Sequence, residues 1–462
     1  MSHELDGHKV TDGMQSRTFC SFAAGRTKDF CRKTCRYPAR VSCLIMSSCI
    51  VVAVLQTCIY IFTNQKPQNP EEADGEKKSV SLLTYSKLEL PKLFNGVINC
   101  TAIIQGNETE LQKAKQYKNA SFIPDHSVFI KMTKNCTYFL QMRKYITFPL
   151  IEEDEDFPIA YSIVIHQRID MFERLLRSIY MAQHIYCIHV DSKSDSSFKA
   201  AVQAITSCFP NVFIATRLEA VTYASWSRVQ ADLNCMEELL RRHLTWKYFI
   251  NLCGMDLPIV TDHELIEQLK ALKGRNNMET TKATTLKEKR WKFKFVVKGG
   301  KIFKTNITKD PIPILSSPFV GSAYIIVSRK FVEFIFTDQN AKSIIKWAQD
   351  TYSPDELIWA SLQRLSEAPG FIPINHMYDV TDVNAKVRLV KWSYLEGNVH
   401  NGRLYPPCTG IHRRAICIYG AGDLHWILHQ QHLFANKFDT KVDPVAVYCL
   451  EAHLRHKTMY EH

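Results

Sequence analysis

From Ile159 onward, short apolar runs alternate with segments of helical periodicity, and this alternation constrains the fold more than any other feature of the chain. Strands are predicted at 160–165, 185–190, 211–215 and 248–252, and helices at 171–180, 197–205 and 226–241. Strands that are apolar along their length and separated by helices are typical of a mostly parallel sheet covered on both faces. We therefore predict an α/β fold with a Rossmann-like sheet.

Polar residues directly follow several of the predicted strands. His166, Asp191 and the run Asn251-Leu-Cys-Gly-Met-Asp256 stand at carboxyl ends of strands, where sheets of this kind bind their ligands. The first strand end lacks a Gly-X-Gly-X-X-Gly loop, so a dinucleotide cofactor is not expected. A nucleoside diphosphate fits better, with Asp191 accepting hydrogen bonds from a ribose or a base. Position alone favours equally a role for Asp191 in capping the helix near Ser196.

The charge of a diphosphate can be balanced by a metal ion or by protein cations. No Asp-X-Asp follows a predicted strand, and the acidic run at 152–156 precedes Pro158, where we predict a solvated linker rather than a metal site. Arg413 and Arg414 stand between Cys408 and Cys417, and Lys437 follows soon after. Arginine offers a fork for two phosphate oxygens and lysine a mobile point charge. Most such cations are ordinary surface residues.

The segment Asp350-Thr-Tyr-Ser-Pro-Asp-Glu-Leu-Ile-Trp359 is a second candidate site. It places Asp355 and Glu356 after a Ser-Pro turn and on the first turn of a helix predicted over 356–364. A carboxylate fixed there can act as a general base. Acids at this position also favour the positive end of the helix dipole without any catalytic role. The residues alone leave both interpretations open.

The amino-terminal part of the chain predicts a membrane anchor. Residues 41–65 contain no charge and are flanked by Arg40 and Lys66, which is long enough to cross about 30 Å of hydrocarbon as a helix. Basic residues predominate before it, so residues 1–40 are predicted to be a cytosolic tail and the remainder lumenal. We predict a stem at 66–95, a packed extension at 96–157 and the main domain at 158–462. A cleaved signal peptide is the alternative.

Sequons and cysteines agree with a lumenal domain. Asn-X-Ser/Thr sequons occur at Asn99, Asn107, Asn119, Asn135 and Asn306, and the crowding of four beyond the anchor indicates an exposed, glycosylated stem. The nine cysteines after the anchor are Cys100, Cys136, Cys187, Cys208, Cys235, Cys253, Cys408, Cys417 and Cys449. Nine allow four disulfides and one free thiol, and only Cys408 and Cys417 are close enough to suggest a pair. The residues after the anchor contain no zinc-binding motif.

The formal charge of +12 comes without basic runs interleaved with aromatics, so nucleic acid is not expected as a partner.

Residues from about 158 to 460 closely resemble the β-1,6-N-acetylglucosaminyltransferases that branch mucin O-glycans, the core 2 branching enzymes. The resemblance is carried by the runs Tyr186-Cys-Ile-His-Val-Asp191, Val221-Thr-Tyr-Ala-Ser-Trp226, Asn251-Leu-Cys-Gly-Met-Asp256, Gly321-Ser-Ala-Tyr324, Asp350-Thr-Tyr-Ser-Pro-Asp-Glu356 and Phe434-Ala-Asn-Lys-Phe-Asp439. It implies a GT-A-like catalytic domain at 158–462 in a single-pass type II protein of the Golgi membrane. It also implies inverting transfer of N-acetylglucosamine from UDP-N-acetylglucosamine to O-glycan acceptors, with no divalent metal or other cofactor. A homodimer is compatible with it.

The resemblance also implies roles for particular residues. Glu356 is the general base that deprotonates the acceptor 6-hydroxyl, and Asp355 keeps a supporting role at the helix start. Donor-site matches are Val164, His166, Asp191 and Tyr223, with Arg414 and Lys437 neutralising the departing diphosphate. Acceptor-site matches are Glu279, Lys287, Arg290, Trp392 and Tyr394. The implied disulfides are Cys100–Cys449, Cys136–Cys208, Cys187–Cys235 and Cys408–Cys417, which leaves Cys253 free.

Three alternatives to core 2 synthesis stay open from the sequence. Acceptor choice depends on few residues, so a transferase that makes core 4 or I-type branches is a close variant. A glycoside hydrolase using Asp355 and Glu356 is disfavoured, because adjacent residues rarely set two carboxyls at the roughly 5–10 Å separation that such enzymes need. A non-catalytic, membrane-anchored glycan-binding protein is disfavoured by the presence of Glu356, Arg414 and Lys437.

Overall fold

The computed structural model describes residues 88–91, 94–118, 123–242, 245–371 and 385–461, and residues 79–462 form one compact unit. The predicted tail at 1–40, the predicted anchor at 41–65, most of the predicted stem and Asn119 lie outside the described residues. Within the ranges just given, the search for a helix of sufficient length and apolarity to cross a bilayer finds none.

The secondary structure is mixed. The α-helices of the described residues are α1 Cys100–Ile104, α2 Glu108–Lys115, α3 His126–Met132, α4 Cys136–Arg143, α5 Glu152–Glu155, α6 Ile169–Ile179, α7 Ser196–Thr206, α8 Trp226–Arg241, α9 Asp262–Ala271, α10 Arg329–Thr337, α11 Gln339–Ala348, α12 Ile358–Leu362, α13 Leu424–Leu428 and α14 Pro444–Tyr460. The strands are β1 Ile159–Ile165, β2 Ile185–Val190, β3 Val212–Ile214, β4 Tyr248–Cys253, β5 Asp256–Pro258, β6 Thr281–Lys282, β7 Phe293–Lys298, β8 Lys301–Thr308, β9 Phe319–Val320, β10 Ile326–Ser328, β11 Arg388–Val390, β12 Ile411–Arg413, β13 Ile416–Ile418 and β14 Phe434–Asn436.

The main sheet has five strands in the order β10-β4-β1-β2-β3. Strands β1 to β4 run parallel to their neighbours, and β10 is the antiparallel edge strand beside β4. Every residue of β2 is buried, as are all residues of β1 except the partly exposed Val164. Burial on both faces explains why these strands are apolar along their length. The prediction of an α/β fold with a mostly parallel, helix-covered sheet is confirmed.

A second, three-stranded sheet lies next to the carboxyl end of β4. Its order is β11-β14-β5, with β14 parallel to β11 and antiparallel to β5. The chain passes from Cys253 at the end of β4 almost directly into β5, whose first residue, Asp256, faces Asn436 on β14. Lys437 follows Asn436, so this small sheet brings a carboxy-terminal cation to the carboxyl edge of the main sheet.

Residues before β1 are packed onto the domain. Helix α1 packs against α14, and α3 packs against α7. Phe94, in the predicted stem, makes edge-on ring contacts with Tyr117 and Tyr448 at 5.3 and 5.8 Å. The interpretation of residues 152–156 as a solvated linker is wrong for Asp154, which is buried in α5 and accepts a hydrogen bond from His263 at 2.9 Å.

Four disulfides connect the domain. They join Cys100 to Cys449, Cys136 to Cys208, Cys187 to Cys235 and Cys408 to Cys417, and Cys253 is a free cysteine. These are the pairs that the family resemblance implies. The first two attach α1 and α4, which precede the main sheet, to α14 and to the segment after α7. Crosslinks over such long separations remove much conformational freedom from the unfolded chain.

Three sequon asparagines begin helices instead of lying in an extended stem. Asn99, Asn107 and Asn135 are the N-cap residues of α1, α2 and α4, and the side-chain oxygen of each accepts a backbone hydrogen bond from the first turn. All three residues are exposed, and Asn306 is exposed on β8. An N-cap uses the amide oxygen and leaves the nitrogen, the atom to which a glycan is attached, available.

Candidate active site

The first part of the candidate site is built at the ends of β1 and β2. The backbone N–H of Asp191 donates to the carbonyl of Ile165 at 2.8 Å, and the hydroxyl of Ser194 donates to the carbonyl of His166 at 2.9 Å. The Oδ1 atom of Asp191 accepts from the N–H of Lys193 at 2.9 Å. The N-cap position of α7 belongs to Asp195, so the prediction that Asp191 caps this helix is wrong.

A cationic cluster faces this strand end, and we define it as Arg413, Arg414 and Lys437. Burial lowers the pKa of Lys437; the nearby Cys253 raises it, and the positive charges of Arg388, Arg413 and Arg414 lower it further. Burial also lowers the pKa of His166, opposed by Asp191 and reinforced by Lys193 and Lys437. Mutual repulsion of this kind shows that the cations are close together, an arrangement suited to an anionic ligand.

The hairpin of β12 and β13 fixes the two arginines. Arg414 and Ala415 have φ angles of 53° and 62°. Two consecutive residues with positive φ are typical of the tight turn that joins antiparallel strands, and the Cys408–Cys417 disulfide closes the base of this hairpin. The Arg414 guanidinium lies 4.6 Å from the ring centroid of Tyr223, which is 68% exposed. Val164 pairs in register with Cys253, so it lies beside the carboxyl end of β4.

The second part of the site surrounds Glu356. Its Oε2 atom accepts a hydrogen bond from Nη1 of Arg290 at 2.5 Å, and the Glu356 side chain is 43% exposed. The predicted helix over 356–364 is wrong in extent. Residues Pro354–Glu356 form a 3-10 turn, and α12 begins at Ile358 because Leu357 leaves helical geometry with a φ of −139°.

Gly321 brings a second acid toward Glu356. Its N–H donates to the carbonyl of Glu356 at 3.0 Å, and a Cβ atom at this position would lie 1.9 Å from the carbonyl oxygen of Glu279. Only glycine permits backbone approach this close. Burial raises the pKa of Glu279, Lys287 opposes the shift and the charge of Glu356 adds to it. Glu279, Lys287, Arg290 and Glu356 thus form one charged group.

Aromatic side chains extend this group. The rings of Trp392 and Tyr394 are 5.7 Å apart, and Tyr394 is 62% exposed. The Ser393 N–H donates to the carbonyl of Ala415 at 2.9 Å, which connects these aromatics to the arginine hairpin. Sequence reasoning did not identify Tyr405. Burial raises the pKa of Tyr405, and the nearby Tyr394 and Glu279 raise it further. The predicted acceptor residues are therefore neighbours, although they come from distant parts of the chain.

A buried polar network connects the two parts of the site. The Arg388 guanidinium lies 3.3 Å from the ring centroid of Tyr324, and the guanidinium of Arg228 lies 5.6 Å from it. Arg388 also pairs with Asp256 at 3.3 Å, and Arg228 pairs with Asp232 at 2.7 Å. Sequence reasoning missed both arginines. Tyr324 and Asp256 belong to two of the runs that carry the family resemblance, and this was the available signal.

Asp355 lies at the Arg228 end of this network, beside Glu356. Its Oδ1 atom is buried and has no hydrogen-bond partner among the described residues. Burial raises the pKa of Asp355 to about 6; Arg228 opposes the shift and Glu356 adds to it. The two adjacent acids therefore differ in environment: the Glu356 side chain is 43% exposed, whereas Asp355 has a buried Oδ1 atom and lies near Arg228.

The described residues offer few groupings of side chains that could bind a metal ion. Over the ranges that the structure describes, the one cluster of residues with metal-ligand spacing is Glu396, Cys408 and Cys417. The two cysteines are joined in a disulfide, so they offer no thiolate to an ion.

The fold and the candidate site define the class first: an α/β protein whose parallel strands end at a candidate ligand site, with a cationic cluster at the strand ends and a carboxylate group connected to it by buried polar residues. Comparison with known proteins then identifies the family. The model of the Core-2/I-Branching enzyme family matches residues 159–428. The chain belongs to this family.

Curated relatives cover most of the chain. A human β-1,3-galactosyl-O-glycosyl-glycoprotein β-1,6-N-acetylglucosaminyltransferase is 52% identical over 369 residues, which is 78% of this chain and 86% of the relative. A second human protein, carrying the same name with the number 3, is 48% identical over 84% of this chain and 90% of its own length. A protein of that name from Bovine herpesvirus 4 is 47% identical over 84% of this chain and 89% of its own length.

Proposed function

We propose that the protein transfers N-acetylglucosamine from UDP-N-acetylglucosamine in β-1,6 linkage to the GalNAc of Gal-β-1,3-GalNAc-Ser/Thr, forming the core 2 branch. The names of the relatives support this reaction. The observation that carries it is the buried network of Arg228, Tyr324 and Arg388, which connects Asp355, the neighbour of Glu356, to Lys437 of the cationic cluster. A single inverting displacement needs one base on the acceptor side and charge stabilisation on the leaving-group side.

In this mechanism Glu356 takes the proton of the acceptor 6-hydroxyl as that oxygen attacks C1 of the donor sugar. The bond from C1 to the diphosphate oxygen breaks on the opposite face, and its electrons leave with UDP. Lys437 and Arg414 stabilise the negative charge that develops on the diphosphate. Arg290 orients Glu356, because its guanidinium donates a hydrogen bond to the carboxylate. The pair is partly exposed. His166, Asp191, Val164 and Tyr223 bind the nucleotide.

The acceptor is held by the side chains around Glu356. Glu279, Lys287 and Arg290 supply hydrogen-bonding groups of both charges for sugar hydroxyls, while Trp392 and Tyr394 offer apolar faces to a sugar ring. The partly exposed Glu356 carboxylate reaches the acceptor hydroxyl from this side.

An acceptor assay tests the proposed specificity. The full chain in detergent is incubated with UDP-N-acetylglucosamine and, in parallel, with core 1, core 3 or linear lactosamine acceptors. We expect β-1,6 product with core 1. Preference for core 3 or lactosamine would assign core 4 or I-type branching instead. A folded protein that makes no β-1,6 product from any of the three would contradict the transferase function, and binding of acceptor without turnover would favour a glycan-binding protein.

We propose that no divalent metal is required, because the cationic cluster balances the charge of the diphosphate. Treatment with EDTA is therefore expected to leave the transfer rate within about twofold of the untreated rate, since removing a true catalytic cation would cost several kcal/mol of transition-state stabilisation. Loss of activity with EDTA and its recovery with Mn²⁺ would contradict the roles given to Arg414 and Lys437.

Asp355 is predicted to make the free energy of unfolding depend on pH. Its raised pKa means that the folded state holds the proton more tightly than the unfolded chain, so this contribution stabilises the fold at low pH and is lost as the pH rises through about 6. Asp355→Asn removes this dependence. From about pH 4 to about pH 7, the stability of the variant relative to wild type should rise by roughly 2–3 kcal/mol.

Urea unfolding of both proteins at the two pH values measures this difference. Glu367→Gln, which removes one acidic charge at an exposed position, is the matched control and should show no such trend. A difference between Asp355→Asn and wild type that is equal at both pH values would contradict the prediction.

We propose further that the protein is a single-pass type II protein of the Golgi membrane, anchored by residues 41–65, with N-glycans on its sequons. The exposed N-cap asparagines, Asn99, Asn107 and Asn135, support glycan attachment. Enzymatic removal of N-glycans from the cell-expressed protein should lower its mass, and an unchanged mass would argue against a lumenal domain. A homodimer is compatible with this topology.

A further inference from the structure

A basic basin lies at the amino-terminal edge of the main sheet. It is an open cavity of about 990 Å³. Lys247 immediately precedes β4, and Arg329 and Lys330 follow β10, whose last residue pairs with the first residue of β4. The candidate active site lies beyond Cys253 at the other end of β4. Six residues at about 3.3 Å each separate the two edges by roughly 17–20 Å. A ligand in the basin therefore leaves the donor and acceptor regions open.

The lining of the basin is strongly cationic. Sixteen of the described residues line it; seven of these are Arg or Lys, and none of the sixteen is Asp or Glu. Arg241 and Arg329 pair with Glu237 and Glu333 on their own helices. Among the residues that the structure describes, five others have no carboxylate partner within 4.0 Å: Arg242, Lys247, Lys273, Arg275 and Lys330. Cations gathered around a concavity raise its positive potential together.

Packing contacts fix part of this charge. The Arg242 guanidinium lies 3.5 Å from the ring centroid of Phe213, and the Arg329 guanidinium lies 4.8 Å from that of Trp246. The Nε atom of Arg275 donates to the carbonyl of Leu272 at 3.2 Å. Because these groups are already positioned, an anionic ligand would order few side chains on binding, which favours affinity.

We propose that the basin binds a sulfated glycan chain. Arginine forks match the paired oxygens of sulfate esters, and lysines add point charges along a chain. Of the three aromatics that line the basin, Trp246 and Tyr248 are buried and Phe157 is partly exposed but stacked on Tyr248, so the basin lacks the row of exposed rings that binds successive nucleobases. A concave basin fits a polymer chain better than a flat membrane surface. The four disulfides also belong to an oxidising compartment, where sulfated glycans are available anions.

The test is binding of heparin, a heavily sulfated polysaccharide, to the full chain in detergent. Lys273→Glu with Lys330→Glu reverses two exposed charges of the basin. The matched control is Lys298→Glu with Lys301→Glu, which reverses two exposed lysines at the turn between β7 and β8. We expect the basin variant to raise the heparin Kd at least about tenfold and the control to change it less than about threefold, because the lost attraction is local.

Competing probes decide the chemical class. Desulfated heparin, polyglutamate and vesicles of anionic phospholipid are expected to bind at least about tenfold more weakly than heparin, since they lack sulfate esters on a glycan chain. Equal binding of any of them with the same loss in the basin variant would overturn the assignment to sulfated glycans. Equal heparin loss in both charge-reversal variants would overturn the site itself. Transferase activity is measured in each variant only as a check that the variant is folded. The assignment of the basin depends on the heparin Kd values alone.

Discussion

Glu356→Gln is expected to lower the transfer rate by about 10²–10⁴-fold, because it removes the group that accepts the proton of the attacking hydroxyl. The substitution is nearly isosteric and leaves an amide oxygen that can accept the hydrogen bond from Arg290. The proposed donor residues His166 and Asp191 follow β1 and β2, whereas Glu356 lies on the 3-10 turn before α12, so affinity for UDP-N-acetylglucosamine should change little. Single-turnover transfer and donor binding by calorimetry measure the two quantities separately.

Asp355→Asn is the matched comparison, because it neutralises the adjacent acid. One of its carboxylate oxygens, Oδ1, is buried and Arg228 lies nearby, so we expect a much smaller loss of turnover than for Glu356→Gln. Abolition of chemistry by Asp355→Asn alone, with Glu356→Gln still active, would mean that the base has been assigned to the wrong acid. A variant of Glu356 that also lost donor binding would point to a structural role.

Lys437→Ala and Arg414→Ala are each expected to lower the rate by about 10²–10³-fold, because each removes a charge that stabilises the departing diphosphate in a partly buried site. The two differ in structure. Lys437 is placed by β14 in the small sheet, whereas Arg414 stands at a hairpin turn against the ring of Tyr223. Lys437→Ala also relieves repulsion within the cluster, so the folded protein should tolerate it.

Lys441→Ala provides the control for Lys437→Ala, since Lys441 is exposed and only four residues further along. UDP affinity should fall with the rate in Lys437→Ala and Arg414→Ala, whereas loss of acceptor affinity alone would contradict their assignment to the donor side. Wild-type transfer rates in Lys437→Ala and in Arg414→Ala would remove the argument for metal-independent transfer.

Much of the fold could be predicted because strands that are buried on both faces are apolar along their length. The predicted strands agree with β1 to β4 to within two residues at each end, and the helix at 226–241 is reproduced. The helix at 356–364 was predicted too long. Nothing in its composition signals the non-helical backbone at Leu357, whose φ is −139°.

The candidate site was predictable where residues stand at strand ends, as for His166 and Asp191. It was unpredictable for Arg228 and Arg388, which are 160 residues apart in the sequence and both lie near the Tyr324 ring. Long-range pairs of this kind leave no periodic pattern in the sequence. The same holds for the basic basin, whose lysines and arginines come from the segments before β4, after α9 and after β10.

The sequence by itself determined the parallel α/β sheet, since each strand carries its own burial pattern, and its long matching runs pointed to the family. Only the tertiary structure decided the environments of Asp355 and Glu356. The two acids are adjacent in sequence, yet one faces Arg228 beneath the surface and the other reaches Arg290 at an exposed face. The physical reason is that solvation and neighbouring charge, which distinguish a base from a supporting acid, depend on residues brought together from distant parts of the chain.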